Sequence, residues 1–105
     1  MIYSVKISAQ AEEDLKSIFE YIAFELMSLQ NANAQLGRLE SNILKLKEMP
    51  ERFKAYDKEP WRTRGLRIMP VDNYLVFYIP DKETQTVTVI RVMYGGRDTD
   101  KQLNQ

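Results

Sequence analysis

The sequence contains neither histidine nor cysteine among its 105 residues. Histidine is the commonest general base and metal ligand, so any catalysis here has to rely on carboxylates, tyrosines, lysines and arginines. Without cysteine there are no disulfides and no thiolate metal site, which fits a cytoplasmic protein. We therefore expect no metal ion and no cofactor.

Long apolar stretches are also missing. No run approaches the ~20 residues that a bilayer span needs. The segment from Met1 to Ile7 alternates like a strand and has no signal-peptide layout. With 44% hydrophobic and 29% charged residues, the chain has the composition of a globular protein. We expect one domain over residues 1–105, located in the cytoplasm and without a membrane partner.

The formal net charge of zero conceals an uneven distribution. Up to Glu51 there are five Lys/Arg and eight Asp/Glu, a balance of −3; from Arg52 onward there are ten and seven, a balance of +3. A modestly basic second half could face a polyanion or an acidic protein segment. A solvated surface is the simpler interpretation, and charge alone favours it.

The first part of the chain predicts a strand followed by a helix. Tyr3, Val5 and Ile7 share the apolar face of a strand over Ile2 to Ile7. Ser8 then offers an N-cap, and acidic residues follow in the opening turns. The helical spacing of the next apolar residues predicts a buried face made of Ala11, Leu15, Ile18, Phe19, Ile22, Leu26 and Leu29.

A second helix is predicted after a polar interruption from Ser28 to Asn33. Its apolar residues step by four and three along one narrow seam. It should end near Met49, because Pro50 disfavours helix at the residue before it. Two helices with so short a connection should form an antiparallel hairpin. The seam consists of Ala32, Leu36, Leu39, Ile43 and Leu46.

Three strands are predicted after a charged loop from Glu51 to Arg64. Leu66–Val71 contains Pro70, which suggests an edge strand. Asp72-Asn73 supplies turn chemistry, and Tyr74–Ile79 is apolar on both faces, as a central strand would be. Thr86–Tyr94 alternates, which places one set of side chains on a common face: Val87, Val89, Arg91 and Met93.

The predicted order is therefore β-α-α-β-β-β, an α+β fold. It consists of an N-terminal strand, an antiparallel helical hairpin and then a three-stranded antiparallel sheet.

With these elements the whole chain resembles the RelE/ParE superfamily of type II toxin–antitoxin toxins. Four stretches carry the resemblance in combination. They are Tyr3-x-Val5-x-Ile7-Ser8 leading to Ala11-x-x-Asp14-Leu15 and Ile18-x-x-Tyr21-Ile22; Leu46-x-x-Met49-Pro50-x-Arg52; Gly65-Leu66-Arg67 leading through Val71-x-Asn73-Tyr74 to Val76-Phe77-Tyr78; and Val89-Ile90-Arg91-Val92-Met93-Tyr94-Gly95-Gly96-Arg97-Asp98.

The resemblance implies a growth-inhibiting toxin that a cognate antitoxin neutralises within a hetero-oligomer. Antitoxins of this class use a flexible segment that folds on the toxin, here in a groove between the helical hairpin and the sheet. RelE-like members cleave mRNA on the translating ribosome without a metal, whereas ParE-like members poison DNA gyrase without nuclease chemistry. Gyrase and the ribosome with its mRNA are thus the two candidate targets.

If the protein is a ribonuclease, the resemblance makes Arg67, Arg91, Arg97 and Tyr94 the catalytic candidates. Arginines would stabilise the charged transition state, and the tyrosine would stack a base or donate a proton. Each residue also has a structural interpretation. Arg91 could pair with a helix carboxylate, Arg67 could guard a sheet edge, and Arg97 could pair locally with Asp98. Further cations nearby in the sequence are Lys58, Arg62 and Arg64.

Leu75 favours the gyrase branch. It follows the aromatic residue that opens the central strand, a position where ribonuclease members commonly carry arginine. Losing a preorganised cation costs on the order of 3–4 kcal/mol of transition-state stabilisation. We therefore favour the ParE-like function, with the mRNA endoribonuclease as the alternative. A third possibility is a degenerate member that is retained only as a partner of the antitoxin.

Overall fold

The computed structural model describes residues 2–96 and 99–104. Its strands are β1 (Ser4–Ile7), β2 (Lys54–Ala55), β3 (Arg67–Val71), β4 (Tyr74–Asp81) and β5 (Thr86–Tyr94). Its α-helices are α1 (Ala9–Glu20), α2 (Leu29–Leu44), α3 (Trp61–Arg64) and α4 (Thr99–Leu103). A π-helical turn (Tyr21–Glu25) follows α1, and 3-10 turns lie at Lys45–Lys47 and Pro50–Arg52.

The five strands form one sheet in the order β1-β5-β4-β3-β2. β1 runs parallel to β5, and all other neighbours are antiparallel. The helical hairpin of α1 and α2 lies on one face. The predicted α+β order of an N-terminal strand, a helical hairpin and antiparallel strands is confirmed. The sheet has five strands because β1 and β2 join the predicted three.

Ser8 begins the first helix as predicted. Its side-chain oxygen accepts a hydrogen bond from the Ala11 N–H at 3.0 Å, which is the N-cap interaction. The Ser8 hydroxyl also donates to the Ile90 carbonyl at 3.0 Å. One residue therefore starts α1 and fastens it to β5.

The hairpin differs from the prediction at its tip. α1 ends at Glu20, and α2 already begins at Leu29 with Ser28 as N-cap, so the expected polar interruption up to Asn33 is helical. Leu26 and Leu29 were predicted on the buried face, but they are 56% and 60% exposed. The π-helical turn rotates the chain away from the face that α1 presents to the sheet, which leaves both leucines outside the core.

α2 also ends earlier than predicted, at Leu44 rather than near Met49. A 3-10 turn and a left-handed Met49 complete the exit from the helix before Pro50. The predicted seam is confirmed, because four of its five side chains are buried and Leu36 packs partly buried beside them: Ala32, Leu39, Ile43 and Leu46.

The segment from Glu51 to Arg64 is not simply a loop. Lys54–Ala55 pairs with β3, and a short helix follows at Trp61–Arg64. β3 therefore lies inside the sheet, and the edge position predicted for it is wrong. Elements this short carry no period in the sequence, so their contacts with the rest of the chain define them.

A β-bulge changes which side chains share a face of β5. Arg91 pairs with Phe77 and Val89 pairs with Tyr78, so Ile90 has no partner on β4. The extra residue places Arg91 on the opposite face from Val87 and Val89. The common face predicted from simple alternation is therefore wrong beyond Ile90.

The two faces of the sheet carry separate apolar cores. The first core joins the hairpin to the sheet and contains Leu15, Leu39, Val76, Tyr78 and Val89, among others. The second core lies on the other face, where α4 contributes one buried residue; its members are Tyr56, Leu66, Phe77, Met93 and Leu103. Both faces of β4 are thus covered, as its apolar sequence predicted.

Tyr78 should make the folded state less stable at alkaline pH. Its ring is fully buried, its hydroxyl donates to the Pro50 carbonyl, and burial raises its pKa to about 12. Because this folded-state pKa lies above the unfolded value of about 10, the stability that it contributes is complete below pH 10 and is lost as the pH rises through 12.

We expect Tyr78→Phe to cost about 1–2 kcal/mol near pH 7, because the Pro50 carbonyl loses its donor. Urea unfolding between pH 7 and 11.5 measures this difference, which should shrink or reverse at the alkaline end. Tyr94→Phe removes a half-exposed hydroxyl and is the control. A difference between wild type and Tyr78→Phe that stays constant with pH would contradict the role given to Tyr78.

Candidate functional site

A groove of about 1140 Å³ runs between the helical hairpin and the C-terminal end of β5. Both helices, the π-helical turn and the β3–β4 turn contribute to its walls. The lining side chains are mainly apolar or uncharged and include Ile18, Tyr21, Leu26, Ala34, Tyr74, Val92 and Tyr94. The charged side chains of the lining are Asp14, Arg38 and Arg91.

Two tyrosines form the floor of the groove where β4 begins and β5 ends. Tyr74 and Tyr94 are cross-strand partners, and their rings meet edge to face at 5.9 Å between centroids. Burial raises the pKa of Tyr74, and the neighbouring Tyr94 and Tyr21 raise it further. Tyr94 is 49% exposed, so this floor offers an accessible aromatic surface.

The two glycines after β5 keep the chain close to this floor. The Gly95 N–H donates to the Asn73 carbonyl at 2.8 Å, which ties the strand end to the β3–β4 turn. A Cβ on Gly96 would lie 2.7 Å from Cε2 of Tyr94, closer than atoms tolerate. Glycine at position 96 therefore lets the Tyr94 ring lie against the backbone.

A polar network closes one end of the groove. Asp72 has a positive φ in the β3–β4 turn and accepts hydrogen bonds from Arg38 at 2.7 Å and Gln35 at 3.0 Å. Arg38 also donates to the Gln35 side chain at 3.2 Å. These hydrogen bonds lower the pKa of Asp72, and the one from Arg38 has the larger effect. The network connects α2 to the sheet at the surface.

Arg91 and Asp14 form the most enclosed ion pair of the described residues. Two nitrogens of the guanidinium, Nε and Nη2, reach the two carboxylate oxygens at 2.7 and 3.1 Å. Nη1 donates to the Gln102 carbonyl of α4, and the Val92 N–H donates to Asp14. The side chains are only 19% and 11% exposed. The pair thus joins α1, β5 and α4 beside the groove.

The tip of the hairpin exposes an unusual number of large apolar side chains. Phe24 is 71% exposed and Met27 is 87% exposed. Further exposed residues at the same tip are Tyr21, Leu26 and Leu29. Tyr21 and Leu26 also line the groove, so the apolar tip continues directly into it. Contiguous apolar surface of this kind marks interaction sites.

The residues predicted for ribonuclease chemistry do not all converge. Arg91 and Tyr94 line the same groove. Arg67 lies across from Tyr78, whereas Tyr94 lies across from Tyr74. Four residues of β4 separate these positions, which is roughly 13 Å along the strand. Arg67 donates instead to the Phe53 carbonyl at 2.7 Å, so it fastens β3 to the segment before it.

Arg97, the fourth predicted residue, lies outside the described residues, as does its proposed partner Asp98. The other predicted cations, Lys58, Arg62 and Arg64, lie in and before α3. None of these three lines the groove.

Leu75 occupies an apolar position. It pairs with Met93 across the strands, packs partly buried against the second core and lies beside Gly95. A cation here would have to leave this apolar contact to reach a substrate.

Asp14, Gln35 and Arg38 belong to the site but were not among the predicted site residues. Asp14 is one of the acidic residues expected in the opening turns of α1. It follows Ala11 by three residues and precedes Leu15, which places it beside the buried stripe. That position was the available signal. Gln35 and Arg38 carry no comparable signal, because their partner Asp72 is distant in the chain.

Within the described ranges, 2–96 and 99–104, no group of three or more carboxylates is arranged to hold a metal ion. In the same part of the chain, no helix combines the length and apolar character that a membrane span requires.

The fold and the groove define a class of small proteins with a helical hairpin on an antiparallel sheet. Residues 5–99 match the model of the ParE toxin of the type II toxin–antitoxin system parDE. The chain therefore belongs to the ParE toxin family, and it is the toxin component of a type II toxin–antitoxin system within the RelE/ParE superfamily. No curated protein matches the sequence closely enough to count as a relative.

Solved structures show the same fold. The chromosomal ParDE system of P. aeruginosa gives a TM-score of 0.72 at 14% identity, covering 89% of this chain and 96% of that one. A free-state mutant of the E. coli toxin RelE gives 0.66 at 14% identity, covering 97% and 93%. The RelBE2 complex of Mycobacterium tuberculosis gives 0.63 at 22% identity, covering 90% and 99%.

Proposed function

We propose that this toxin acts as a ParE-like inhibitor of DNA gyrase and that a cognate antitoxin neutralises it in the cytoplasm. We favour gyrase over mRNA as the target because of where the structure places the cations that ribonuclease chemistry would need. The Arg91 guanidinium donates hydrogen bonds to Asp14 and to the Gln102 carbonyl. Arg67 lies at the other end of β4. Phosphorane-like charge requires cations held around one point. The ParE family match also favours gyrase.

The groove suits the antitoxin. A segment that folds on binding needs apolar anchor sites together with polar contacts, and the lining of the groove includes both kinds of side chain. The exposed tip around Phe24 extends the apolar surface. Arg38 in the lining could receive an acidic side chain of the partner. The P. aeruginosa and M. tuberculosis neighbours come from a toxin–antitoxin system and a toxin–antitoxin complex, which supports a hetero-oligomer here as well.

Induced expression in bacteria tests the target. We expect growth arrest accompanied by the DNA damage response, with mRNA half-lives unchanged, because gyrase inhibition breaks or tangles DNA without touching transcripts. Co-expression of the cognate antitoxin should restore growth. Arrest with intact DNA and falling mRNA would contradict the proposal and support the endoribonuclease.

The endoribonuclease would have its own signature. Primer extension on ribosome-bound mRNA would show cuts, and these would vanish in Tyr94→Phe but persist in Tyr74→Phe, the neighbouring tyrosine of the same ring pair. The catalytic candidates would then be Arg91 and Tyr94, which line the same groove, together with Arg97. Arg67 would not be among them, because it lies at the other end of β4. Expression without any slowing of growth would point to a degenerate toxin.

A further inference from the structure

The positive charge of the second half is concentrated in one short segment. Residues 52–67 contain six Lys/Arg and two Asp/Glu, a balance of +4 in a chain whose net charge is zero. The segment forms the β2 edge of the sheet together with α3. Five of its cations are exposed: Arg52, Lys54, Lys58, Arg62 and Arg64. We call this surface the cationic edge.

Among the residues that the structure describes, the exposed cations of the cationic edge make no ion pair. The three ion pairs found in the described ranges join Arg38 to Asp72, Lys82 to Glu51, and Arg91 to Asp14. Two of the nearby carboxylates are engaged elsewhere. Glu51 contacts Lys82, and Glu59 accepts hydrogen bonds from Thr63, which lower its pKa; Arg62 lowers it only through space. Asp57 is the remaining acid of the segment.

The surface lacks what a protein partner would need. Interfaces between proteins depend on a few apolar or aromatic anchors at their centre. The large apolar side chains that are exposed belong to other segments, and residues 52–67 contribute none to them. A positively charged surface without exposed apolar anchors is better suited to a polyanion than to a protein, because phosphate contacts require cations and little apolar area.

The aromatic rings of the segment favour a duplex over a single strand. Single-stranded nucleic acid binds through bases stacked on accessible rings. Here the Arg64 guanidinium covers Trp61 at 5.1 Å, and Trp61 also packs on the second core. Arg52 covers Phe53 at 5.0 Å, and Phe53 packs on Tyr78. With both rings occupied, the cations can contact phosphates while the bases stay paired.

We propose that the cationic edge binds the phosphate backbone of duplex DNA without sequence specificity. This inference does not depend on gyrase as the target, because it rests on a different surface. No residue of the segment lines the groove. DNA and an antitoxin segment could therefore bind at the same time.

Fluorescence anisotropy of a labelled 20-base-pair DNA duplex, titrated with the full-length toxin between 25 and 200 mM salt, tests the proposal. The duplex should bind with a Kd on the order of 10⁻⁴–10⁻⁶ M at low salt, with log K falling steeply with log salt. Lys54→Gln/Lys58→Gln/Arg62→Gln removes three side chains that make no hydrogen bond or ion pair with residues in the described ranges. It should weaken binding about tenfold or more and reduce the salt slope by roughly one per lost cation.

The matched control is Lys16→Gln/Lys45→Gln/Lys47→Gln, which removes the same charge from exposed positions outside the segment. It should leave most of the affinity and the slope intact. Equal weakening by the two triple variants would overturn the proposal, because it would show attraction to net charge alone. So would the absence of duplex binding at 25 mM salt, or tighter binding of a single-stranded 20-nucleotide RNA than of the duplex.

Discussion

Arg91→Ala is expected to lower the free energy of unfolding by about 3–5 kcal/mol, because it leaves the Asp14 carboxylate without its cation in a mostly buried position. The loss is large for a chain of this size, whose whole stability is about 5–15 kcal/mol. Urea unfolding followed by circular dichroism measures it. The change also removes the tie between Arg91 and the Gln102 carbonyl, so α4 should lose amide protection first.

Arg38→Ala is the matched control. It breaks an ion pair with the same 2.7 Å contact, but the side chains of Arg38 and Asp72 are 53% and 42% exposed. Pairs at this exposure contribute about 0–1 kcal/mol, because water and salt screen them. A loss in Arg91→Ala no larger than that in Arg38→Ala would contradict the structural role assigned to Arg91.

A double-mutant cycle completes the comparison. With Asp14→Ala and Arg91→Ala combined, the loss should be smaller than the sum of the single losses, since the double variant leaves no buried charge. This result matters for function as well. If Arg91→Ala is not toxic, unfolding of the variant is sufficient to explain the result. A catalytic role for Arg91 can therefore be inferred only from a variant shown to be folded.

Ala34→Arg is expected to abolish neutralisation by the antitoxin while leaving the toxin folded and toxic. Ala34 is exposed on α2 and lines the groove. A long cation there would occupy the space of an apolar anchor and would be desolvated by a bound segment. Disrupting one central anchor costs about 2 kcal/mol or more, which corresponds to a roughly 30-fold or greater loss of affinity.

The measurement is growth rescue by the cognate antitoxin, together with the Kd of the purified pair. Asn33→Arg is the control, since Asn33 is also exposed on α2 but does not line the groove. It should be rescued like the wild type. Rescue of Ala34→Arg would place the antitoxin elsewhere, and loss of rescue in both variants would point to a general effect of the added charge.

The sequence predicted the elements that depend on local signals. Ser8 caps α1, the seam around Leu39 and Ile43 is buried, and β5 has the predicted bounds, because capping and periodicity are properties of neighbouring residues. The groove between hairpin and sheet followed from the family resemblance, and the structure contains such a groove.

The remaining features depend on contacts between distant residues. The bulge at Ile90 arises from the pairing of β5 with β4, and it moved Arg91 away from the face that alternation predicted. α4 and the residue after it contact the rest of the chain through hydrogen bonds of Tyr56 with Asp100 and of Trp61 with Asn104, which are 44 and 43 residues apart. Such pairings leave no local pattern, so α4 could not be predicted. A helix carboxylate as the partner of Arg91 was predicted, and the structure identifies it as Asp14.

Leu26 and Leu29 show a different limit. Their spacing fits the buried face of a helix, yet both are exposed at the hairpin tip. Apolar periodicity indicates that one face of a helix is shielded from water. It does not show whether the core of the same chain or a bound partner shields that face. In a toxin that binds an antitoxin, the same signal can come from the interface.

The central proposal is that this toxin inhibits gyrase, and a supercoiling assay with purified components tests it most directly. Relaxed plasmid, gyrase and ATP are incubated with increasing toxin, and a parallel reaction follows mRNA bound to ribosomes. We expect supercoiling to fall with toxin concentration, the antitoxin to restore it, and the ribosome-bound mRNA to stay intact. Undiminished supercoiling together with cleaved mRNA would contradict it.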